Sequence, residues 1–133
     1  MEQTPQGMYK LEKYFINNDI IQIVKVPYYQ SAIISDIKLT EYLLSLTHPV
    51  GKFKAKLFRG WGFNETNTDI FRKCLLKIVH TNKVVKIKTS QHSINYEVHG
   101  KIQIPKGGVR IITTVWAIDI GKRTPYLVSA YKV

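Results

Sequence analysis

The period of the hydrophobic residues changes once along the chain, at Lys83, and this change limits the fold more than any other feature. Before Lys83, apolar residues recur every three to four positions, which is the period of an amphipathic helix. After Lys83 they alternate with polar residues, which is the period of a β-strand. Helices followed by alternating strands indicate an α+β fold. We therefore expect about three N-terminal helices, then an antiparallel sheet of four to five strands, with an N-terminal extension.

Three helices are predicted before the change of period. Ser35 or Asp36 can cap the first helix, and His48-Pro49 closes the segment that contains it. Gly51 opens the second helix, and Gly60 and Gly62 end it. The predicted helices span residues 38–46, 52–61 and 68–81. Apolar residues at helical spacing are expected to face the core in the first and third helices: Leu39, Tyr42, Leu43 and Leu46, then Ile70, Phe71, Cys74, Leu75, Ile78 and Val79.

Five strands are predicted after Lys83, with His99–Gly100 as one of the turns between them. They cover residues 84–88, 94–98, 101–104, 109–120 and 126–132. Upstream, Ile20–Val26 also has the composition of a strand, but the sequence does not show whether this strand joins the sheet. Ala32–Ile34 is a second short extended piece. We predict an N-terminal extension over residues 1–31 and a single α+β domain over residues 32–133.

The short second helix carries a lysine in an unusual position. At about 100° per residue, Phe53, Leu57, Phe58 and Trp61 fall on one broad apolar arc, with Lys52, Lys56 and Arg59 on the other side. Lys54 falls in the middle of the apolar arc. A lysine there either extends its stem to bring the ammonium to water or serves a site. The pattern leaves both interpretations open.

Positive charge is concentrated after residue 47. Residues 1–47 hold four basic and five acidic side chains, a net charge of −1, whereas residues 48–133 hold sixteen basic and four acidic ones, a net charge of +12. This asymmetry favours a polyanionic partner, with nucleic acid first, over a surface that is basic without a partner. An anionic membrane is less favoured because no helix pairs a cationic face with bulky apolar anchors.

The sequence has no feature of a secreted or membrane protein. It has no secretory signal and no apolar run long enough to cross a bilayer. The single cysteine, Cys74, excludes an internal disulfide and fits a reducing, cytoplasmic setting. The four histidines lack the spacing of metal ligands, and no nucleotide-binding loop or nucleophile elbow is present, so we expect neither a metal nor a cofactor.

Histidine, lysine and hydroxyl side chains remain, and they suit metal-independent cleavage of RNA. Histidine can exchange a proton with the ribose 2′-hydroxyl or the leaving oxygen, and lysine can stabilise the negative phosphorane. Alternation puts Thr114 and Trp116 on one face of their strand, and Ser129 and Tyr131 on one face of theirs. These four residues can form a site if the two faces coincide; the alternative is ordinary packing in strands.

Four segments together resemble a small bacterial domain family that occurs alone and at the carboxyl ends of polymorphic toxins. They are Leu39-Thr40-Glu41-Tyr42-Leu43-Leu44, His48-Pro49-Val50-Gly51-Lys52-Phe53-Lys54-Ala55, Thr114-Val115-Trp116 and Pro125-Tyr126-Leu127-Val128-Ser129-Ala130-Tyr131. The family signature reads Leu-x-x-Tyr-Leu-Leu, His-Pro-x-Gly-x-x-Lys-Ala, Arg-Thr-x-Trp and Pro-x-Leu-x-Thr-x-Tyr. The order of elements, with His, Lys and Thr, is also similar to the barnase–EndoU–colicin–RelE class of ribonuclease toxins.

The resemblance implies a set of site residues and shows two departures. It marks His48, Lys54, Thr114, Trp116, Ser129 and Tyr131. Thr113 stands where the family has arginine, and Ser129 stands where it has threonine. Serine keeps the hydroxyl, but the missing arginine removes a phosphate clamp unless Arg110 replaces it.

The leading hypothesis is therefore a metal-independent endoribonuclease of toxin type. His48 is the expected general base or acid, Lys54 stabilises the transition state, and Thr114 and Ser129 orient the phosphate. The expected substrate-binding residues are Lys52, Lys56, Arg59, Arg110, Trp116 and Tyr131. The expected partners are RNA and a cognate immunity or antitoxin protein. The alternatives are a non-catalytic module that binds nucleic acid or protein, and an immunity or adaptor protein with an acidic partner.

Overall fold

The computed structural model describes residues 24–133, which form helices followed by one four-stranded antiparallel sheet. After a 3₁₀ turn at Tyr29–Ser31, α1 (Asp36–Lys38) continues into a π-helical turn (Leu39–Leu43). Two longer helices follow, α2 (Lys52–Gly60) and α3 (Thr68–Thr81). The strands are β1 (Val84–Thr89), β2 (Ser93–Gln103), β3 (Val109–Asp119) and β4 (Tyr126–Lys132), adjacent in chain order. The predicted α+β architecture is confirmed.

The core lies between the helices and one face of the sheet. Phe71 of α3 packs against Phe63 and Phe58, at ring-centroid distances of 4.4 and 5.1 Å. On the sheet, the buried side chains of Val98, Ile112, Trp116 and Ala130 belong to the same apolar cluster.

The predicted turn at His99–Gly100 is wrong, because β2 runs through both residues without interruption. Gly100 faces α3 so closely that a Cβ atom would lie 2.7 Å from Ile78 Cγ2 and 2.9 Å from Asn82 Nδ2. The glycine therefore marks the point where a helix touches the sheet. A glycine inside a strand often allows such a close approach.

The first helix is shorter than predicted. Ser35 caps it as expected, its Oγ accepting a hydrogen bond from Lys38 N, but the helical segment ends at Leu43, and Leu46 is exposed. Ser45 Oγ accepts hydrogen bonds from the backbone N–H groups of Thr47 and His48. A side chain that binds the backbone locally in this way competes with the helical hydrogen bonds.

Two residues of the predicted apolar stripes are exposed: Phe53, on the apolar arc of the second helix, is 70% exposed, and Ile70, predicted to face the core, is 55% exposed. In α2, the fully buried residues are Ala55 and Phe58, three positions apart on one side of the helix. Phe53 precedes Phe58 by five positions, which is about 140° around the helix. The predicted apolar arc was therefore too broad.

The upstream prediction of a strand at Ile20–Val26 falls mostly outside the described residues. Its described end, 24–26, is not a strand, although Val24 O accepts a hydrogen bond from Val84 N. The short extended piece at 32–34 forms a single parallel bridge between Ile33 and Tyr126. The division at residue 31 stays a prediction. Within residues 24–133, no helix has the length and apolar character needed to cross a membrane.

Candidate functional site

Lys54 lies at the centre of the candidate site because its ammonium is held between two hydroxyl groups. Its Nζ donates to Tyr42 Oη at 2.6 Å and to Ser129 Oγ at 2.9 Å. The side chain is half-buried, and in the described part of the chain no carboxylate forms a salt bridge with it. The sequence left open whether the Lys54 ammonium extends to water or serves a site. In the structure it is turned towards other side chains. Its positive charge is not neutralised by an acid there.

Tyr42 also belongs to this site, although its helical spacing predicts a position that faces the core. It lies in the π-helical turn, a rare conformation that often occurs at functional sites. Burial alone would raise the pKa of Tyr42, but hydrogen bonds from Lys54 and Ser129 and the charges of Lys54 and Lys38 outweigh it, so the pKa lies below its ordinary value. Only the phenolate form of Tyr42 can accept a proton, and the neighbouring Lys54 ammonium stabilises that form.

The Tyr42 ring is fixed by the segment that leads into α2. His48 packs edge-on against it with ring centroids 5.0 Å apart, and a Cβ atom on Gly51 would lie 2.3 Å from Tyr42 O. The backbone can pass Tyr42 at this distance only because residue 51 is glycine. The His-Pro-x-Gly turn therefore holds the start of α2, and with it Lys54, against Tyr42.

His48 has a defined tautomer in this turn. Its Nδ1 accepts hydrogen bonds from the backbone N–H groups of Val50 at 3.0 Å and Gly51 at 2.9 Å. The hydrogen of the neutral ring must then be on Nε2. In this arrangement His48 offers an N–H donor through Nε2 and has no free lone pair with which to act as a base.

Ser129 and Tyr131 lie on β4 at the border of the site. Ser129 pairs with Val115 and Tyr131 with Thr113, and the ladder is irregular just before Ser129, where Val128 has no partner on β3. The Tyr131 ring centroid is 5.9 Å from Lys54 Nζ. Burial and then the negative charge of Glu97 raise the pKa of Tyr131, so it remains a neutral phenol.

Thr114 and Trp116 are not brought to this site. Thr114 pairs with Ala130 and Trp116 with Leu127, so their side chains share the core face and not the face of Ser129. Both are fully buried: Trp116 Nε1 donates to Thr114 Oγ1 at 2.8 Å, and Thr114 Oγ1 donates to Val98 O at 3.0 Å. The structure assigns both side chains to packing inside the core.

The predicted basic residues differ in whether their charges are exposed or already paired with a carboxylate. Lys52 and Lys56 are exposed on α2, on either side of Lys54 in sequence. Arg59 donates to Leu44 O at 2.8 Å and forms an ion pair with Glu65. The positive charge of Arg59 is therefore already paired with a carboxylate.

Arg110 lies at the start of β3, with its guanidinium 6.0 Å from the centroid of the Trp61 ring. Along β3, Arg110 shares a face with Ile112 and Thr114, and this face is turned towards the helices. Arg110 therefore does not occupy the face of Thr113, where the resembled family has its arginine. Over residues 24–133, no three His, Cys, Asp or Glu side chains are grouped so that they could hold a metal ion.

Comparison with known proteins identifies a domain family and one similar fold. The model of the family described as a domain of unknown function, DUF6883, matches residues 25–133. No curated protein matches the chain. One similar solved structure is that of a contact-dependent growth inhibition toxin–immunity protein complex from Klebsiella pneumoniae 342. The TM-score is 0.62 at 12% sequence identity, over 80% of this chain and 97% of that chain. At this identity the likeness concerns the fold.

Proposed function

Since the chain belongs to the DUF6883 family, whose function is unknown, we propose its function from its own side chains: a metal-independent endoribonuclease of the toxin type. The observation that carries the proposal is the Lys54 ammonium, held by Tyr42 and Ser129 with no acid partner among residues 24–133. An unneutralised cation on a strongly basic chain is suited to a phosphate that gains negative charge during reaction.

The proposed reaction is attack of a ribose 2′-hydroxyl on the adjacent phosphorus. In this proposal Tyr42 acts as the phenolate that Lys54 stabilises, and its Oη takes the hydroxyl proton as the bond between the 2′-oxygen and phosphorus forms. The bond from phosphorus to the 5′-oxygen of the next nucleotide then breaks, and that oxygen takes a proton from a general acid or from water as it leaves. The products are a 2′,3′-cyclic phosphate and a 5′-hydroxyl. DNA is not cut, because it lacks the attacking group.

Lys54 and Ser129 act on the phosphorane in this proposal. The Lys54 ammonium stabilises the charge on the non-bridging oxygens, and the Ser129 hydroxyl donates a hydrogen bond to one of them. His48, with its Nδ1 already occupied, donates from Nε2 to a phosphate oxygen. The exposed Lys52 and Lys56 attract neighbouring phosphates. Thr114 and Trp116 have no part in this site.

The test is cleavage of total tRNA and ribosomal RNA by the purified protein in the presence of EDTA, with Lys54→Ala as the inactive control. Discrete fragments that end in 2′,3′-cyclic phosphate, absent with the variant, support the proposal. A matched DNA substrate should stay intact. RNA that remains uncut by a folded wild-type protein refutes ribonuclease activity.

The likeness to a chain of a toxin–immunity complex favours one alternative, a protein-binding role without catalysis. If the chain is a toxin, its partner is a cognate immunity protein; if it is itself an immunity or adaptor protein, its partner is an acidic protein that its positive charge attracts. A specific protein complex together with uncut RNA would favour the second role. RNA that is bound but not cut would instead indicate a nucleic-acid-binding module, whose affinity should fall steeply with salt.

A further inference from the structure

The sheet has a second face, opposite α3, which brings residues of three strands together beside Lys54. Residues that are directly paired in an antiparallel sheet share a face. Strand pairing therefore aligns two rows on this side of the sheet. We call them the open face: Glu97, Val115 and Ser129 in the first row, and His99, Thr113 and Tyr131 in the second.

The open face has a small, buried residue at its centre and larger side chains beside it. Thr113, on β3 between β2 and β4, is a small residue and only 3% exposed. His99 on β2 is exposed, and Tyr131 on β4 is half-buried. Larger side chains on β2 and β4 thus flank a small residue on β3, and we call this arrangement the trough. The Lys54 ammonium lies at the β4 side of this trough, in contact with Ser129.

Residues on the two sides of the trough are placed as an in-line displacement at phosphorus requires. The group that takes the proton of the attacking oxygen and the group that protonates the leaving oxygen must lie on opposite sides of phosphorus. Tyr42 and Lys54 are at the β4 side, whereas His99 is two strands away, roughly 10 Å at the spacing of adjacent strands. His99 is exposed and can therefore reach a bound substrate.

From this geometry we propose that single-stranded RNA binds across the open face and that His99 is the general acid of the reaction. This inference rests on the proposed ribonuclease function. Protonated His99 gives its proton to the 5′-oxygen as the bond from phosphorus to that oxygen breaks, while Tyr42 holds the proton taken from the 2′-hydroxyl. Both residues return to their starting states by exchange with water. Tyr131 offers a ring for stacking of a base.

The surface continues beyond His99 into a hollow at the end of α3. Its lining includes Lys77, Thr81, Asn82, His99 and Lys101. Lys77 and Lys101 are exposed, and Thr81 and Asn82 add polar groups. Two ammonium groups next to the proposed general acid suit the following phosphate of the leaving strand.

The experiment compares an RNA oligonucleotide with uridine 3′-(p-nitrophenyl phosphate), whose nitrophenolate leaves without a proton. His99→Gln should lower RNA cleavage by about 10²- to 10⁴-fold, which is the usual contribution of a general acid. The same variant should cleave the nitrophenyl ester at the wild-type rate. Tyr42→Phe should slow both substrates, because attack by the 2′-hydroxyl is common to both. His92→Gln, at an exposed histidine before β2, is the matched control and should change neither rate.

The outcomes separate this inference from the proposed function. If His99→Gln cleaves RNA at the wild-type rate, or slows both substrates equally, His99 is not the general acid. If the wild-type protein cleaves neither substrate, the ribonuclease proposal itself fails. Melting curves accompany the rates. Since His99 is exposed, we expect His99→Gln to have the same Tm as the wild-type protein.

Discussion

Replacing Lys54 with methionine tests the candidate site at its centre. Methionine keeps an unbranched stem of similar length but removes the ammonium that donates to Tyr42 and Ser129. Loss of one preorganised donor to a developing oxyanion typically lowers kcat by about 10²- to 10³-fold, or about 2.7–4 kcal/mol. We expect Lys54→Met to lower RNA cleavage by at least this factor, since a full charge is lost together with the hydrogen bonds.

The same substitution should change stability much less than activity. It removes two hydrogen bonds, each worth about 0.5–1.5 kcal/mol in net terms. It also removes the cost of holding an ammonium in a half-buried position. These contributions oppose each other, so we expect a change of about 1 kcal/mol or less in the free energy of unfolding, which is a shift of a few degrees in Tm.

The assay measures single-turnover cleavage of a labelled RNA beside a thermal melt of each variant. Lys56→Met is the matched control, because Lys56 lies on the same helix and is exposed. It should lower affinity slightly through its lost charge and leave the cleavage rate of bound RNA unchanged. Wild-type cleavage by Lys54→Met, or an equal loss in both variants, would refute the reasoning about Lys54.

Three further predictions concern single side chains. Tyr42→Phe keeps the ring but should abolish most cleavage; in an ultraviolet titration it should also lose a tyrosine that ionises below the ordinary value, because the pKa of Tyr42 is lowered. Gly100→Ala should lower the free energy of unfolding by about 1–3 kcal/mol through the clash with Ile78, measured by urea denaturation; an unchanged midpoint would contradict the packing described. Thr114→Val should leave Trp116 Nε1 unpaired in the core and cost about 1–3 kcal/mol, with unchanged cleavage per folded molecule; selective loss of cleavage would instead return Thr114 to the site.

Periodicity predicted the helices and strands best where one element packs along its whole length. The third helix begins and ends where the spacing of its apolar residues predicts, at Thr68 and Thr81. The prediction failed at Gly100, which resembles a turn residue in sequence but contacts Ile78 of a distant element. Local patterns cannot distinguish a glycine needed for a turn from one needed for a close approach between elements.

The candidate site was only partly predictable, because its geometry depends on tertiary contacts. The helical spacing placed Lys54 within the apolar arc of a basic helix, but it could not show that the Lys54 ammonium contacts Ser129 of a distant strand. Tyr42 was assigned to the core by its spacing, although its phenol, unlike the leucines of the same stripe, needs a polar partner. Strand pairing, which decides that Thr114 lies opposite the face of Ser129, cannot be derived from alternation within single strands.

The most direct test of the central claim uses one RNA strand in two forms. The position that the wild-type protein cuts is first mapped, and the strand is then made with a single 2′-deoxynucleotide on the 5′ side of that bond. The proposed attack by the 2′-hydroxyl predicts that this substitution abolishes cleavage at that bond while the strand still binds. Cleavage at the same bond at an unchanged rate would show that the attacking oxygen comes from elsewhere, and the mechanism assigned to Tyr42 and Lys54 would be wrong.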